Sequence, residues 1–294
     1  MAEQLPQDVI ARLRALDPAI TPALAQASWA LLIPFHEKLG YTAPRITRDL
    51  AYGEHERHRL DIHAGGTPSG TVSPVVVFVH GGGFVAGDKY HQGTPAYDLV
   101  GAWAVRHGWT GVNITYRYAP EAQWPAGAQD VAAAIAWIRS NIAEYGGDPD
   151  RIVVIGNSAG AVHVADFAAG HGGALDGVRG AALVSGIYGP RSASPGQSPH
   201  PYYGAVPGDE AASLPCLVHS PVPLLFAVAE RDPDRFHAAA AEAVAAWLAG
   251  HGTVPDLVWV DGHNHMSAIP SLGIDEPALG IPLARFIDRH TAAV

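Results

Sequence analysis

Apolar positions in this chain fall into short continuous runs separated by stretches of helical periodicity. Residues 75–79, 111–115, 152–155, 181–184, 224–228 and 257–260 read as strands, and several are apolar almost throughout, as strands covered on both faces should be. Between them, 130–143, 158–169, 236–248 and 281–287 carry helix-like patterns. Strands alternating with helices predict a mostly parallel sheet with helices on both sides. Residues 46–52 and 58–62 instead alternate apolar and polar, which predicts an antiparallel pair at one edge.

Nothing strand-like occurs in residues 1–45. Val9, Ile10, Leu13 and Leu16 form one helical stripe, and Trp29, Leu32, Phe35, His36 and Leu39 form part of a second. These N-terminal helices are expected to pack outside the sheet as a small cap, with 46–294 as the main domain. Trp29 and Phe35 are expected to serve core packing. Residues 187–205, rich in Pro, Gly, Ser and Tyr, are too long for an ordinary connection and read as a cap or lid loop.

Composition narrows the class. The chain has 294 residues, 48% hydrophobic and 16% charged, enough for a sizeable core. A formal charge of −10 argues against nucleic acid or an anionic membrane surface as partner. The single cysteine, Cys216, excludes an intramolecular disulfide and suits a reducing compartment. The first residues lack the apolar h-region of a signal peptide, and no run reaches the ~20 apolar residues of a membrane span. A cytoplasmic protein is expected.

Chemistry enters at Gly156-Asn157-Ser158-Ala159-Gly160, directly after the apolar run 152–155. A serine between glycines at i−2 and i+2, at a strand end, is the pattern of a nucleophile elbow. The turn into the following helix is so sharp that residues two away on either side must be small. A serine hydroxyl also needs a base to take its proton, and that base needs an acid to orient it. Among the aspartates after Ser158, Asp232 is favoured because it projects from the C-terminal end of the strand 224–228, where open α/β sheets place their sites. Asp234 is the fallback, and Asp166, on the nucleophile's own helix, is expected to point away. The base is expected just past the last strand, in Asp261-Gly262-His263-Asn264-His265-Met266. His265 is favoured and His263 remains the alternative. The order Ser158, Asp232, His265 is the Ser…Asp…His order of this architecture. His80-Gly81-Gly82-Gly83-Phe84 follows strand 75–79, and three glycines let backbone N–H groups turn towards a substrate. Gly82, Gly83 and the N–H of Ala159 would form a three-donor oxyanion hole.

Together these residues resemble the α/β-hydrolase superfamily, and within it the hormone-sensitive-lipase-like branch with an HGGG-type oxyanion motif. Residues 80–84 match that motif. Tyr116-Arg117-Tyr118-Ala119-Pro120-Glu121, then Trp124-Pro125-Ala126 and Asp130, are similar to the branch's Y-R-x-A-P-E…P-A…D stretch. Tyr145-Gly146-Gly147-Asp148-Pro149, Glu230-Arg231-Asp232-Pro233 and Asn264-His265-Met266 match further segments, so the resemblance spans 75–267. Asn157 departs from it, standing where the branch usually has Asp or Glu.

The resemblance implies an eight-stranded, mostly parallel sheet with a small, largely N-terminal helical cap. It also implies serine carboxylesterase activity through an acyl-enzyme, with no cofactor and no metal. A small soluble or short-chain ester is the expected substrate. Phe84, Met266 and Tyr203 are candidate pocket walls, and Tyr202 could join them. The same constellation would serve an arylformamidase or amidase, whereas a non-catalytic receptor on this fold commonly lacks a triad member. His55, His58 and His63, beside Glu54 and Glu56, read as a solvated hairpin face and not as a metal site. Cys216 shows no sign of reactivity.

Overall fold

The computed structural model describes residues 3–65, 72–188, 201–204 and 213–292. Eight strands form one sheet: β1 (Arg45–Ala51), β2 (Arg59–Ala64), β3 (Ser73–Val79), β4 (Thr110–Ile114), β5 (Gly147–Asn157), β6 (Val178–Val184), β7 (Leu224–Arg231) and β8 (Asp256–Asn264). Their spatial order is β1-β2-β4-β3-β5-β6-β7-β8. β2 pairs antiparallel with both β1 and β4, whereas every pair from β4 through β3 to β8 is parallel. The expected mostly parallel sheet is therefore present, with the antiparallel pair at one end.

The central strands are apolar throughout because alternate side chains enter different cores. Val75, Val77, Val79, Ile152 and Val154 join one core; Val76, Phe78, Val153 and Ile155 join the other. On the first face lie α4 (Ala126–Asn141), α5 (Ala159–Ala168) and α7 (Asp234–His251); on the second lie α3 (Asp98–Arg106) and α8 (Ile281–Thr291). A short helix, α6 (Leu214–Leu217), supplies Leu217 to the first core. The pattern did not reveal α3: Asp98 to Ala104 are all buried, so the helix has no polar face to set a period.

The two N-terminal stripes form α1 (Gln7–Arg14) and α2 (Pro22–Leu39). Thr21 caps α2 by accepting from Leu24 N–H at 3.2 Å, Pro22 opens it, and Gly40 ends it at φ 82°. Val9, Ile10 and Leu13 are buried with Leu32 in a separate small cluster. Its place is the C-terminal end of β8. Gly262, at φ 78°, lies so close to Ile10 that an added Cβ would collide with it. Arg14 reaches Glu230 at 2.8 Å and Asp261 at 2.9 Å. Among the described residues, no helix is long and apolar enough to cross a membrane.

One expectation is corrected. The hairpin does lie at one edge, with β1 outermost, but its face is not uniformly solvated: His63 of β2 is fully buried, with Gly101 of α3 packed against the ring. His58 is also mostly shielded, stacked on Tyr52 and bonded to Asp130 at 3.1 Å. Only His55 keeps a substantially wet face, 3.9 Å from Glu121. The histidines of the hairpin thus differ from Glu54 and Glu56, which are exposed. The segment 187–205 lies mostly outside the described residues; of it, 187–188 and 201–204 are described.

Candidate active site

β5 delivers Ser158 to the top of the sheet. Its backbone sits at φ 54°, ψ −118°, a conformation that L-residues other than glycine rarely take. Space explains the flanking glycines: a Cβ at Gly156 would fall on Gly160 and Ala161, and one at Gly160 would fall on the carbonyl of Val79. Ser158 is the N-cap of α5, and the strained turn leaves it partly exposed between buried neighbours. Asn157, the irregular residue, is buried, with its side-chain amide 3.4 Å from the carbonyl of Val184.

His265 and Asp232 come together beside this serine. His265 Nε2 lies 2.9 Å from Ser158 Oγ, and His265 Nδ1 lies 2.6 Å from Asp232 Oδ1. Asp232 is 4% exposed, and its second oxygen, Oδ2, accepts from Ala229 N–H at 2.8 Å and from the Ser185 hydroxyl at 2.6 Å. With a carboxylate on Nδ1, the imidazole carries its proton there and leaves Nε2 free to accept. The two alternatives are not at the serine. His263 is fully buried between Asp275, at 3.1 Å, and Ser267, at 3.0 Å. Asp234 is exposed in the first turn of α7.

The His80–Phe84 loop lies against the elbow: a Cβ on Gly81 would stand 3.2 Å from Ser158 Cβ. Gly82 and Gly83 have φ of 137° and 59° and are exposed, so this backbone conformation needs glycine and its surface is open. The loop is held from behind. Tyr116 donates to the carbonyl of His80 at 2.8 Å, and Ala119 N–H donates to Phe84 at 2.9 Å. Tyr118 and Arg57 both donate to the carbonyl of Gly87, with the guanidinium 3.7 Å over the Tyr118 ring. Lys89, 5% exposed, pairs with Asp49 at 2.6 Å and Asp61 at 3.0 Å. The Tyr116–Glu121 motif thus braces the glycine loop, and Arg117 ties it to Asp130 at 2.6 Å.

Phe84, itself at φ 68°, stacks on Tyr202 with ring centroids 4.4 Å apart and meets Tyr203 at 6.0 Å. These rings, with Ala119 and Trp124, form a small apolar cluster next to the glycine loop. Met266, partly exposed, follows His265. Below the site, burial lowers His80 to about 4 and His163 to about 3, so both are neutral at neutral pH. Asp166 is buried beside Trp124 and Ser213, and burial raises its carboxyl to about 8.

Several residues at the site had no motif to announce them. Ser185 touches Asp232 but sits alone after β6; its place at a strand's C-terminal end was the available signal. Ser28 of α2 bonds to Asn264, beside His265, and no local pattern links residues so far apart.

Known proteins share this frame. A family model described as BD-FAE matches residues 60–181. Esterase LipQ of Mycobacterium tuberculosis is 44% identical over 125 residues, covering 42% of this chain and 28% of LipQ. Carboxylesterase NlhH of the same species is 47% identical over 88 residues, covering 30% of this chain and 26% of NlhH. The chain therefore spans only about a quarter to a third of the length of these relatives. Among solved structures, a thermostable esterase from Pseudomonas putida ECU1011 aligns over 99% of both chains, with a TM-score of 0.69 and 20% identity. The esterase of Pyrobaculum calidifontis aligns over 98% of this chain and all of its own, with a TM-score of 0.70 and 20% identity. The fold is the α/β-hydrolase fold of these solved structures, and over part of its length the chain is similar to curated esterases.

Proposed function

We propose that the chain is a serine carboxylesterase acting on small carboxylic esters. The observation that carries this reading is the continuous relay from Asp232 Oδ1 through His265 to Ser158 Oγ, at 2.6 and 2.9 Å. His265 Nε2 takes the serine proton as Oγ attacks the ester carbonyl, and Asp232 stabilises the imidazolium that forms. The N–H groups of Gly82, Gly83 and Ala159 receive the oxyanion, each worth about 3 kcal/mol in the transition state. Collapse of the tetrahedral intermediate breaks the C–O bond, and the alcohol leaves with the proton from Nε2. Water then enters by the same base, adds to the acyl-enzyme, and releases the acid and Ser158.

Phe84, Tyr203 and Met266 are assigned to the substrate pocket. The aromatic cluster beside the glycine loop favours a compact, apolar acyl group over a long chain. The N-terminal helices α1 and α2 are assigned to a small cap at the C-terminal end of β8. The lone Cys216, exposed and unpaired, suits a reducing interior, and a cytoplasmic setting belongs to the same reading. Hydrolysis of a chain-length series of p-nitrophenyl esters, with matching anilides as the amide arm, tests the proposal. Short esters should be cleaved fastest and Ser158→Ala should abolish the reaction; activity surviving that substitution would sink it.

A further inference from the structure

The two oxygens of Asp232 have different tasks. Oδ1 faces His265 Nδ1, while Oδ2 is held by two donors, the N–H of Ala229 at 2.8 Å and the hydroxyl of Ser185 at 2.6 Å. An ionised carboxylate only accepts, so the Ser185 proton must point at it. Ser185 is 1% exposed, and its own N–H is already bonded to the carbonyl of Ala227 at 2.8 Å. Its backbone lies at φ 53°, where glycine would rest without strain. A serine there is explained by its side chain, not its backbone.

We propose that Ser185 is a positioning residue: its hydroxyl fixes Asp232 Oδ2 so that Oδ1 holds His265 in the Nδ1–H tautomer. The inference rests on the reading of Asp232 and His265 as acid and base. A carboxylate turns in a broad, two-fold torsional well about χ2. One donor on Oδ2 leaves that rotation soft. Two donors, arriving from the ends of neighbouring strands β6 and β7, set the plane of the group. The imidazole then presents Nε2 to Ser158 Oγ in each turnover without searching.

Ser185→Ala and Ser185→Gly both delete the hydroxyl but treat the backbone oppositely, since glycine relieves the positive φ and alanine does not. Both should lower kcat by about tenfold, the scale of a lost hydrogen bond to a charged group, with KM unchanged. Ser185→Gly should melt higher than Ser185→Ala. The 15N resonances of the His265 imidazole should report a dominant Nδ1–H tautomer in the parent and a mixture in both variants. Parental kcat and tautomer in both variants would overturn the proposal. So would a kcat loss in alanine that glycine restores, because the backbone would then be responsible. If the parent cleaves no ester, the proposed function fails instead, while the imidazole spectrum, which needs no substrate, still decides the role of Ser185.

Discussion

Asn264 Nδ2 lies 3.1 Å from Ser28 Oγ, and both residues are fully buried although 236 positions separate them. Asn264 Oδ1 also accepts from Met266 N–H at 2.9 Å, closing the turn that carries His265. An N-terminal helix therefore holds the residue next to the proposed base. Ser28→Ala leaves a buried amide short of a partner, which should cost about 1–3 kcal/mol. Thermal unfolding should show a loss of several degrees, and kcat should fall with it because the turn loosens. An unchanged melting temperature would mean that Asn264 finds another partner.

His263 and His265 should separate cleanly. His265→Ala should lower kcat/KM by about 10³-fold or more and cost less stability than His263→Ala, because Asp232 keeps the Ala229 N–H and the Ser185 hydroxyl on Oδ2. His263→Ala should mainly cost stability, since it leaves Asp275 buried without its partner, a loss of about 3 kcal/mol. Melting curves and steady-state kinetics on the two variants read both effects. If His263→Ala abolished turnover while His265→Ala did not, the base would be misassigned.

Gly160 leaves no room for a methyl group: its Cβ would fall on the carbonyls of Val79 and His80, which belong to backbone that cannot swing aside. Gly160→Ala should lose about 3 kcal/mol, the upper range for overpacking. Gly170→Ala is a fair control for crowding, since nothing lies within 4 Å of its Cβ position. Its φ of 92° still adds backbone strain. Denaturant unfolding of the pair should place Gly160→Ala well below the control.

Buried histidines should set the acid limit of stability. Burial holds His36, His63 and His80 near about 4 and His163 near about 3, all below the ordinary 6.5. Between those values the unfolded chain binds protons that the native state refuses, so stability is present above pH 6.5 and drains away towards pH 4. His36→Gln keeps a donor for the carbonyl of Pro270 and should make this loss shallower. Asp166 acts with the opposite sign. Its raised value, about 8, means the native state keeps a proton that the unfolded chain has lost above pH 3.8, so its burial destabilises increasingly up to pH 8. Asp166→Asn should therefore stabilise most at alkaline pH. Melting temperature against pH for the two variants measures both trends.

What could be read from the chain follows from what is local. The elbow, the glycine loop and Asp232 are each written in a few consecutive residues, because a tight turn or a strand end imposes its own composition. His265 could be narrowed only to a pair, since the choice depends on a turn set by the Asn264 side chain and by Ser28 far away. The start of β5 has no apolar signature because Asp148, Asp150 and Arg151 are polar; its pairing with β3 begins at Gly147, opposite Ser73, and resumes only at Ile152, opposite Val75. His63 was read as wet because its strand alternates. In the structure, α3 covers the face that alternation assigned to solvent.

The seating of α1 and α2 on the end of β8 has a consequence for how the chain is made. These helices emerge from the ribosome before the sheet, yet the partners of Arg14 and Ser28, namely Glu230, Asp261 and Asn264, follow 216 to 247 residues later. Until those residues are made, Leu13 and Leu32, both fully buried in the folded chain, must wait without their final surroundings. Such long-range closure slows folding and leaves apolar surface open to association in the meantime. Helices made before the sheet find their seat only after its last strand.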